Sequence, residues 1–362
     1  MGPLHCLRAV LASVFVLYVL LFAALLKERH HWPAQNRLHL RAQNVTILMW
    51  TKFYGGDRLA AELKKDAPLP DWCQLTFNRS YLTQSQAVVF HVPGIELDLN
   101  DLPPNRSSEQ IWVFFSLESP SYFVANVTLW NDLKFNRTMT YRLDSDFPVP
   151  YGLVSKRRKA LSNFMPDIST KTRLAVWMAS HCFVHSRRDD LVKELQRFIP
   201  VDTYGRCGRY YCNPADELGC YKQLGAKYKF YLSFENSICT DYITEKFSNA
   251  LYANLVPVVY GGGDYDKILP RKAYINVNDF DRPESLAKFL KFLDQNREEY
   301  EKYFEWKKDL NVHIRQGLNG FRLICHAIQN GNLGVKKSYD DIEKWWTHNH
   351  CRRGAQWPTK HG

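Results

Sequence analysis

Between Lys229 and Gly263 the sequence reads KFYLSFENSICTDYITEKFSNALYANLVPVVYGGG, which gathers carboxylates, a lysine, phenols and an amide in one short stretch. An apolar run from Phe230 to Phe234 leads into Glu235-Asn236-Ser237 and a polar turn. After it, Ile243, Phe247, Ala250 and Leu251 fall on one face of a helix. Asp241 reads as the N-cap of that helix, with Thr244 three residues on, so free N–H groups at the helix start suit an anion. Glu245 and Lys246 lie in the first turn, where a fixed cation can meet negative charge growing on a leaving group. A solvated helix face would use the same two residues. Gly261-Gly262-Gly263 allows close backbone approach to a ligand but lacks the Gly-x-Gly-x-x-Gly spacing of a dinucleotide fingerprint.

A second candidate lies upstream, where the apolar stretch Trp112-Val113-Phe114-Phe115-Ser116-Leu117 ends in Glu118-Ser119-Pro120. A carboxylate at the end of such a strand suits a general base, because partial desolvation raises its pKa toward a working pH. Its plainer reading is a strand-end acid that caps a helix or pairs with a cation. Cys207, Cys212 and Cys220 could be read as metal ligands, but the spacing lacks a second tight pair, and zinc is not the favoured reading.

The elements that must position these groups can be read from periodicity. Short apolar runs at Val45 to Trp50, Ala87 to Val92 and Ile111 to Leu117 predict strands in the first half. Beyond Pro148, Pro150, Gly152 and the basic run Lys156 to Lys159, strands are predicted at Arg173 to Ala179, Val201 to Tyr204, Lys229 to Phe234, Leu255 to Tyr260 and Ala273 to Val277. They alternate with helices at Arg188 to Phe198, Ile243 to Ala253 and Glu284 to Leu293. Strands separated by amphipathic helices imply an α/β fold with mainly parallel sheets. In such sheets ligands bind beyond the carboxyl ends of the strands, where both candidate stretches lie.

The chain has 362 residues, of which 45% are hydrophobic and 14% aromatic, which excludes a disordered or collagen-like chain and leaves room for two domains. The net charge of +11 is compatible with nucleic acid, a membrane surface, an anionic small substrate or simple solubility. Residues 9–26 are uncharged and apolar, near the lower length limit for a membrane-spanning helix, and they end in Leu25-Leu26-Lys27 rather than a small-residue cleavage site. We therefore expect a cytoplasmic tail at 1–8, a signal anchor at 9–26 and a stem at 27–43. An N-terminal domain at 44–155, a C-terminal domain at 156–347 and a tail at 348–362 complete the expected order. Glycosylation triplets begin at Asn44, Asn78, Asn105, Asn126 and Asn136, a cluster that makes sense in the secretory lumen. Eight of the nine cysteines follow the anchor, and eight cysteines allow 105 complete pairings.

Phe230-Tyr231-Leu232-Ser233-Phe234-Glu235-Asn236-Ser237 followed by Asp241-Tyr242-Ile243-Thr244-Glu245-Lys246 resembles the donor-binding signature of the α1,3-fucosyltransferases. The resemblance runs from about Val45 to the end, and the stretch with Cys207, Cys212 and Cys220 is more similar to invertebrate members. It implies an inverting glycosyltransferase that moves L-fucose from GDP-β-L-fucose to the 3-hydroxyl of N-acetylglucosamine in glycoprotein or glycolipid glycans. It also implies two Rossmann-like domains facing across a cleft, the GT-B arrangement, on a single-pass type II protein of the Golgi membrane with its catalytic body in the lumen. No nucleic acid partner is implied.

Residue by residue, the resemblance makes Glu118 the base and Arg188 and Lys246 the cations on the leaving diphosphate. It puts Tyr141, Ser180, Tyr231, Asn236, Tyr242 and Glu245 around the nucleotide sugar. Tyr141-Arg142-Leu143-Asp144-Ser145-Asp146 matches a family segment, and Asp144 and Asp146 also resemble the Asp-x-Asp that holds Mn²⁺ and a nucleotide diphosphate in another class of glycosyltransferase. The favoured expectation is that no metal cofactor is required, with Mn²⁺ stimulation allowed. The alternatives are a metal-dependent transferase using Asp144 and Asp146, and a glycan-binding membrane protein that has lost catalysis. Two departures stand out. Ser180 is followed by His181 where relatives commonly show asparagine. Near the C-terminus relatives tend to have a close Cys-x-x-Cys, whereas here Cys325 is followed by His326-Ala327-Ile328, and Cys351 is the partner expected for it instead.

Overall fold

The computed structural model describes residues 44–54, 58–92, 101–122, 127–314, 318–333, 337–354 and 357. The proposed anchor at 9–26 and stem at 27–43 lie outside them, as does Asn126. Among the described residues, no helix is long and apolar enough to cross a membrane.

Two five-stranded parallel sheets form the frame. The first contains β1 (Val45–Met49), β2 (Cys73–Thr76), β3 (Ala87–His91), β4 (Ile111–Ser116) and β5 (Arg137–Thr140), in the order β2-β1-β3-β4-β5. After β6 (Leu153–Lys156), the second contains β7 (Arg173–Met178), β8 (Val201–Tyr204), β9 (Tyr228–Phe234), β11 (Val256–Tyr260) and β12 (Ile275–Asn276), in the order β12-β11-β9-β7-β8. Every residue of β1, β3 and β4 is buried, as expected of parallel strands covered on both faces. The period of two sorts β4 cleanly: Ile111, Val113 and Phe115 enter one core, Trp112 and Phe114 the other. In β9, Phe230, Leu232 and Phe234 pack to one side and Tyr231 to the other.

Helices α1 (Arg58–Asp66), α2 (Arg188–Gln196), α3 (Glu217–Lys227), α4 (Glu245–Tyr252), α5 (Pro283–Gln295) and α6 (Arg297–Glu301) accompany the strands. The C-terminal stretch then returns to the first sheet. Phe321, Ile324 and Cys325 of α7 (Asn319–Gln329) join one of its cores, and Ile342 and Trp346 of α8 (Ile342–Thr347) join the other. Two short antiparallel pairs tie distant segments together: β13 (Leu310–His313) with β6, and β10 (Ile238–Cys239) with β14 (Cys351–Arg352).

The eight described cysteines form four disulfides: Cys73–Cys325, Cys182–Cys207, Cys212–Cys220 and Cys239–Cys351. The expected Cys325–Cys351 pair is therefore wrong. Packing of α7 on the first sheet brings Cys325 to Cys73, and the β10–β14 pairing sets Cys351 opposite Cys239. The zinc reading of Cys207, Cys212 and Cys220 fails too, since each sulfur is bonded to another cysteine. The N-cap expectation also needs correction: α4 starts at Glu245 behind Thr244. Asp241 takes a left-handed φ of 60° and turns its carboxylate to the Leu143 N–H at 3.1 Å.

Candidate active site

Glu118 follows β4 of the first sheet, and the groups of the second sheet's carboxyl end face it. The two sides touch where Ser119, fully buried, donates a hydrogen bond to Ser237 Oγ at 2.7 Å. Between them lies a cavity of about 300 Å³ lined by Glu118, Ser180, His181, Arg188, Asn236, Tyr242, Glu245 and Lys246 among others. Its floor depends on one glycine: Gly205 has φ +83°, and a Cβ there would sit 2.4 Å from the Ala179 carbonyl oxygen, so β7 and the turn after β8 could not approach.

Glu118 is half-buried. Its Oε2 accepts from the Tyr242 hydroxyl at 3.1 Å and its Oε1 from the Tyr54 hydroxyl at 3.3 Å. Burial lifts its carboxyl above the ordinary carboxylate range, while Lys246 and the two phenols pull the other way. A carboxylate desolvated in this way is a better proton acceptor than one in water.

Lys246 is held by three contacts: Thr244 Oγ1 at 2.8 Å, Glu245 Oε1 at 3.0 Å and Glu235 Oε2 at 3.4 Å. Burial opposes its charge, but Glu245 and Glu235 outweigh that and keep the ammonium above the usual lysine value. Burial likewise opposes ionisation of Glu245, yet Lys246 holds its carboxyl below the ordinary range. Beneath them Glu235, wholly buried, accepts the Thr244 N–H and hydroxyl, both at 2.8 Å, and so fixes the start of α4.

Arg188, at the first position of α2, is only 2% exposed. Its Nη1 donates to the Phe234 carbonyl at 2.9 Å and its Nη2 to the His181 carbonyl at 2.8 Å, while its Nε–H has no partner within the protein. Asn236 likewise keeps its buried Oδ1 unpaired beside the cleft. His181 lies at the rim, its imidazole held below the usual histidine value by desolvation and by Arg188 and Lys246.

Two residues expected around the nucleotide sugar do not line this cleft. Tyr231 is fully buried on β9 and its hydroxyl meets that of Tyr221 at 2.8 Å, so it supports a cleft residue rather than serving as one. Tyr141 packs edge-on against Tyr242 at 4.8 Å and lines a separate cavity with Asp241 and Phe247. The acids suggested for a metal are already engaged. Asp144 pairs with Arg142, whereas Asp146 accepts from the Thr138 N–H at 2.9 Å and the Tyr339 hydroxyl at 2.8 Å. The two carboxylates thus serve different partners and do not converge. Among the described residues, a single group of three has metal-ligand proximity, Cys182, Asp189 and Cys207, but its cysteines form a disulfide.

The sequence reading passed over Glu235, Tyr54 and Tyr221. Glu235 stood in view inside the signature; Tyr54 is 64 residues from Glu118 with no local signal linking them. Of the glycosylation triplets, Asn44, Asn78 and Asn105 are exposed. Asn136 uses its side chain inside the first sheet, accepting the Trp112 N–H at 2.8 Å.

Parallel α/β sheets with a desolvated carboxylate across a cleft from two fixed cations are the arrangement of an enzyme that transfers a group from an anionic donor. Residues 42–152 match the family described as "Fucosyltransferase, N-terminal", and residues 168–345 match "Glycosyltransferase family 10 (fucosyltransferase) C-term". The chain is 34% identical to alpha-(1,3)-fucosyltransferase C of Drosophila melanogaster, with 88% of this chain and 83% of that protein covered. It is 36% identical to 4-galactosyl-N-acetylglucosaminide 3-alpha-L-fucosyltransferase 9 of Homo sapiens, over 76% of this chain and 74% of that one. A solved structure described as alpha1,3-fucosyltransferase with GDP-fucose shares the fold, with a TM-score of 0.52 and 16% identity over 82% of this chain and 93% of the other. This chain belongs to the α1,3-fucosyltransferase family and is an enzyme with fucosyltransferase activity.

Proposed function

We propose that the enzyme moves L-fucose from GDP-β-L-fucose to the 3-hydroxyl of an N-acetylglucosamine in a glycan, with inversion at the anomeric carbon. The observation that carries this reading is the placement of Glu118 across one cleft from Arg188 and Lys246. Glu118 removes the proton of the acceptor hydroxyl as its oxygen bonds to the anomeric carbon, and the bond to the diphosphate breaks with its electron pair going to GDP. Arg188, through its free Nε–H, and Lys246 stabilise the charge that develops there. Asn236, Ser180 and Glu245 offer hydrogen bonds to the nucleotide sugar, and the buried Tyr242 holds the base. In this reading the two sheets act as facing GT-B domains, with the acceptor on the first.

The signal anchor, stem and sequons support a type II Golgi membrane protein with a lumenal body, and a family cleft whose own cations meet the diphosphate supports activity without a metal cofactor. Full-length enzyme in detergent, given GDP-fucose and either a Gal-β1,4-GlcNAc antenna or an N-glycan core, tests the transfer and identifies the acceptor. Formation of an α1,3-linked product in excess chelator is expected. Glu118→Gln should still bind GDP-fucose while turnover falls by about 10²–10⁴-fold, and near-normal turnover would refute the assignment of the base.

A further inference from the structure

Both oxygens of Glu118 carry a phenol, and the two phenols differ in kind. Tyr242, on Oε2, is 1% exposed and locked against Tyr141. Tyr54, on Oε1, is 40% exposed and comes from the first sheet's side. Its ring rests against those of Phe53 and His91, each with centroids 4.7 Å away. Its φ is +46°, a left-handed backbone that a bulky residue rarely adopts. The hydrogen bond to Glu118 thus coincides with a conformation that the backbone of Tyr54 does not favour, on the oxygen whose phenol partner is the exposed one.

We propose that Tyr54 is a positioning residue that occupies Glu118 Oε1 until a sugar hydroxyl displaces it, so that the base is withheld from water while no acceptor is bound. The proposal rests on Glu118 being the base. Either nucleophile needs the same step: its oxygen bonds to the fucose anomeric carbon, its proton passes to Glu118, and the bond to GDP breaks with the electron pair leaving on the diphosphate. A water molecule must compete with Tyr54 for Oε1 without other anchorage, whereas a glycan brings binding energy from its remaining sugar contacts. Tyr54 therefore favours transfer over hydrolysis of the donor, at some cost in acceptor affinity.

Tyr54→Phe in the full-length enzyme tests this. GDP release from GDP-fucose without acceptor should rise, and the KM for an N-acetyllactosamine acceptor should fall, each by about five-fold, the effect of one hydrogen bond. The charged and titratable groups facing Glu118 are Lys246, Glu245, Tyr242, Tyr141, Tyr151 and Tyr54. Of these, Tyr54 lowers the proton affinity of Glu118, so its loss should move the acid limb of kcat/KM to higher pH. A merely structural role for the phenol would move neither the hydrolysis rate nor that limb. Wild-type hydrolysis with an unchanged acceptor KM, or an acceptor KM that rises, would overturn the proposal. Glu118→Gln assayed alongside separates the two ideas: if that variant is inactive and Tyr54→Phe behaves as wild type, only the role of Tyr54 fails.

Discussion

Arg188→Lys is the substitution that most directly probes how the leaving group is held, because it keeps the charge and changes the geometry. The guanidinium uses Nη1 and Nη2 to anchor itself to the Phe234 and His181 carbonyls, at 2.9 and 2.8 Å, which leaves the unpaired Nε–H to face the donor. A lysine ammonium has no fork and cannot reach both carbonyls while also facing the cleft. One buried carbonyl then loses its partner, at about 1–3 kcal/mol, and the melting temperature drops by about 1.5 °C for each kcal/mol, from an unfolding entropy of about 2.1 cal/mol/K per residue. The larger effect is on catalysis. Loss of one aligned donor to the developing charge costs about 2.7–4 kcal/mol, or 10²–10³-fold in rate. The assay is kcat/KM for GDP-fucose at saturating acceptor, with GDP affinity by calorimetry and a thermal melt on the same sample. If Arg188→Lys keeps kcat/KM within about five-fold of wild type, charge alone suffices and the argument from the anchored fork fails.

Other outcomes follow from the same geometry. Lys246→Met removes the cation nearest Glu235 and Glu245, so activity should fall by about 10²–10³-fold while a melt shows lower stability from the unpaired, wholly buried Glu235. The wild-type pH profile of kcat/KM should lose activity as pH falls, since a base must be ionised to act. Its acid limb should lie above about 4.3, the reference value for glutamate, because burial raises the proton affinity of Glu118. Cys73→Ala should cost about 2–5 kcal/mol, seen as a lower melting temperature. Peptide mapping without reduction should recover Cys73 joined to Cys325 and none of Cys325 joined to Cys351.

Much of the frame was legible because parallel strands buried on both faces are continuous apolar runs, as in β3 (AVVFH) and β9 (YKFYLSF). Strands that owe their place to tertiary pairing were not. β5 (RTMT) is polar by composition yet fully buried, because Arg137 and Thr138 find partners from the C-terminal stretch and Asp146. β6 and β13 pair across more than 150 residues, which no local pattern reports. Within the site, Glu245 and Lys246 could be read because they share a helix turn with Glu235 and Asn236 just upstream. The phenols on Glu118 could not, since Tyr54 and Tyr242 approach it from opposite sides in the fold. Asp241 looked like a cap by residue type, but its left-handed backbone and its bond to Leu143 give it other work.

The return of α7 and α8 to the first sheet has a consequence for how the enzyme is made. A ribosome delivers the first sheet early, yet Phe321, Ile324, Ile342 and Trp346, which close its two cores, emerge only after the whole second sheet. Until then both faces of β1, β3 and β4 lack part of their cover, and Cys73 and Cys239 wait for Cys325 and Cys351. The unfinished cores must therefore be shielded while the second half of the chain is made, and a chain truncated before Asn319 should fail to fold into an active fragment.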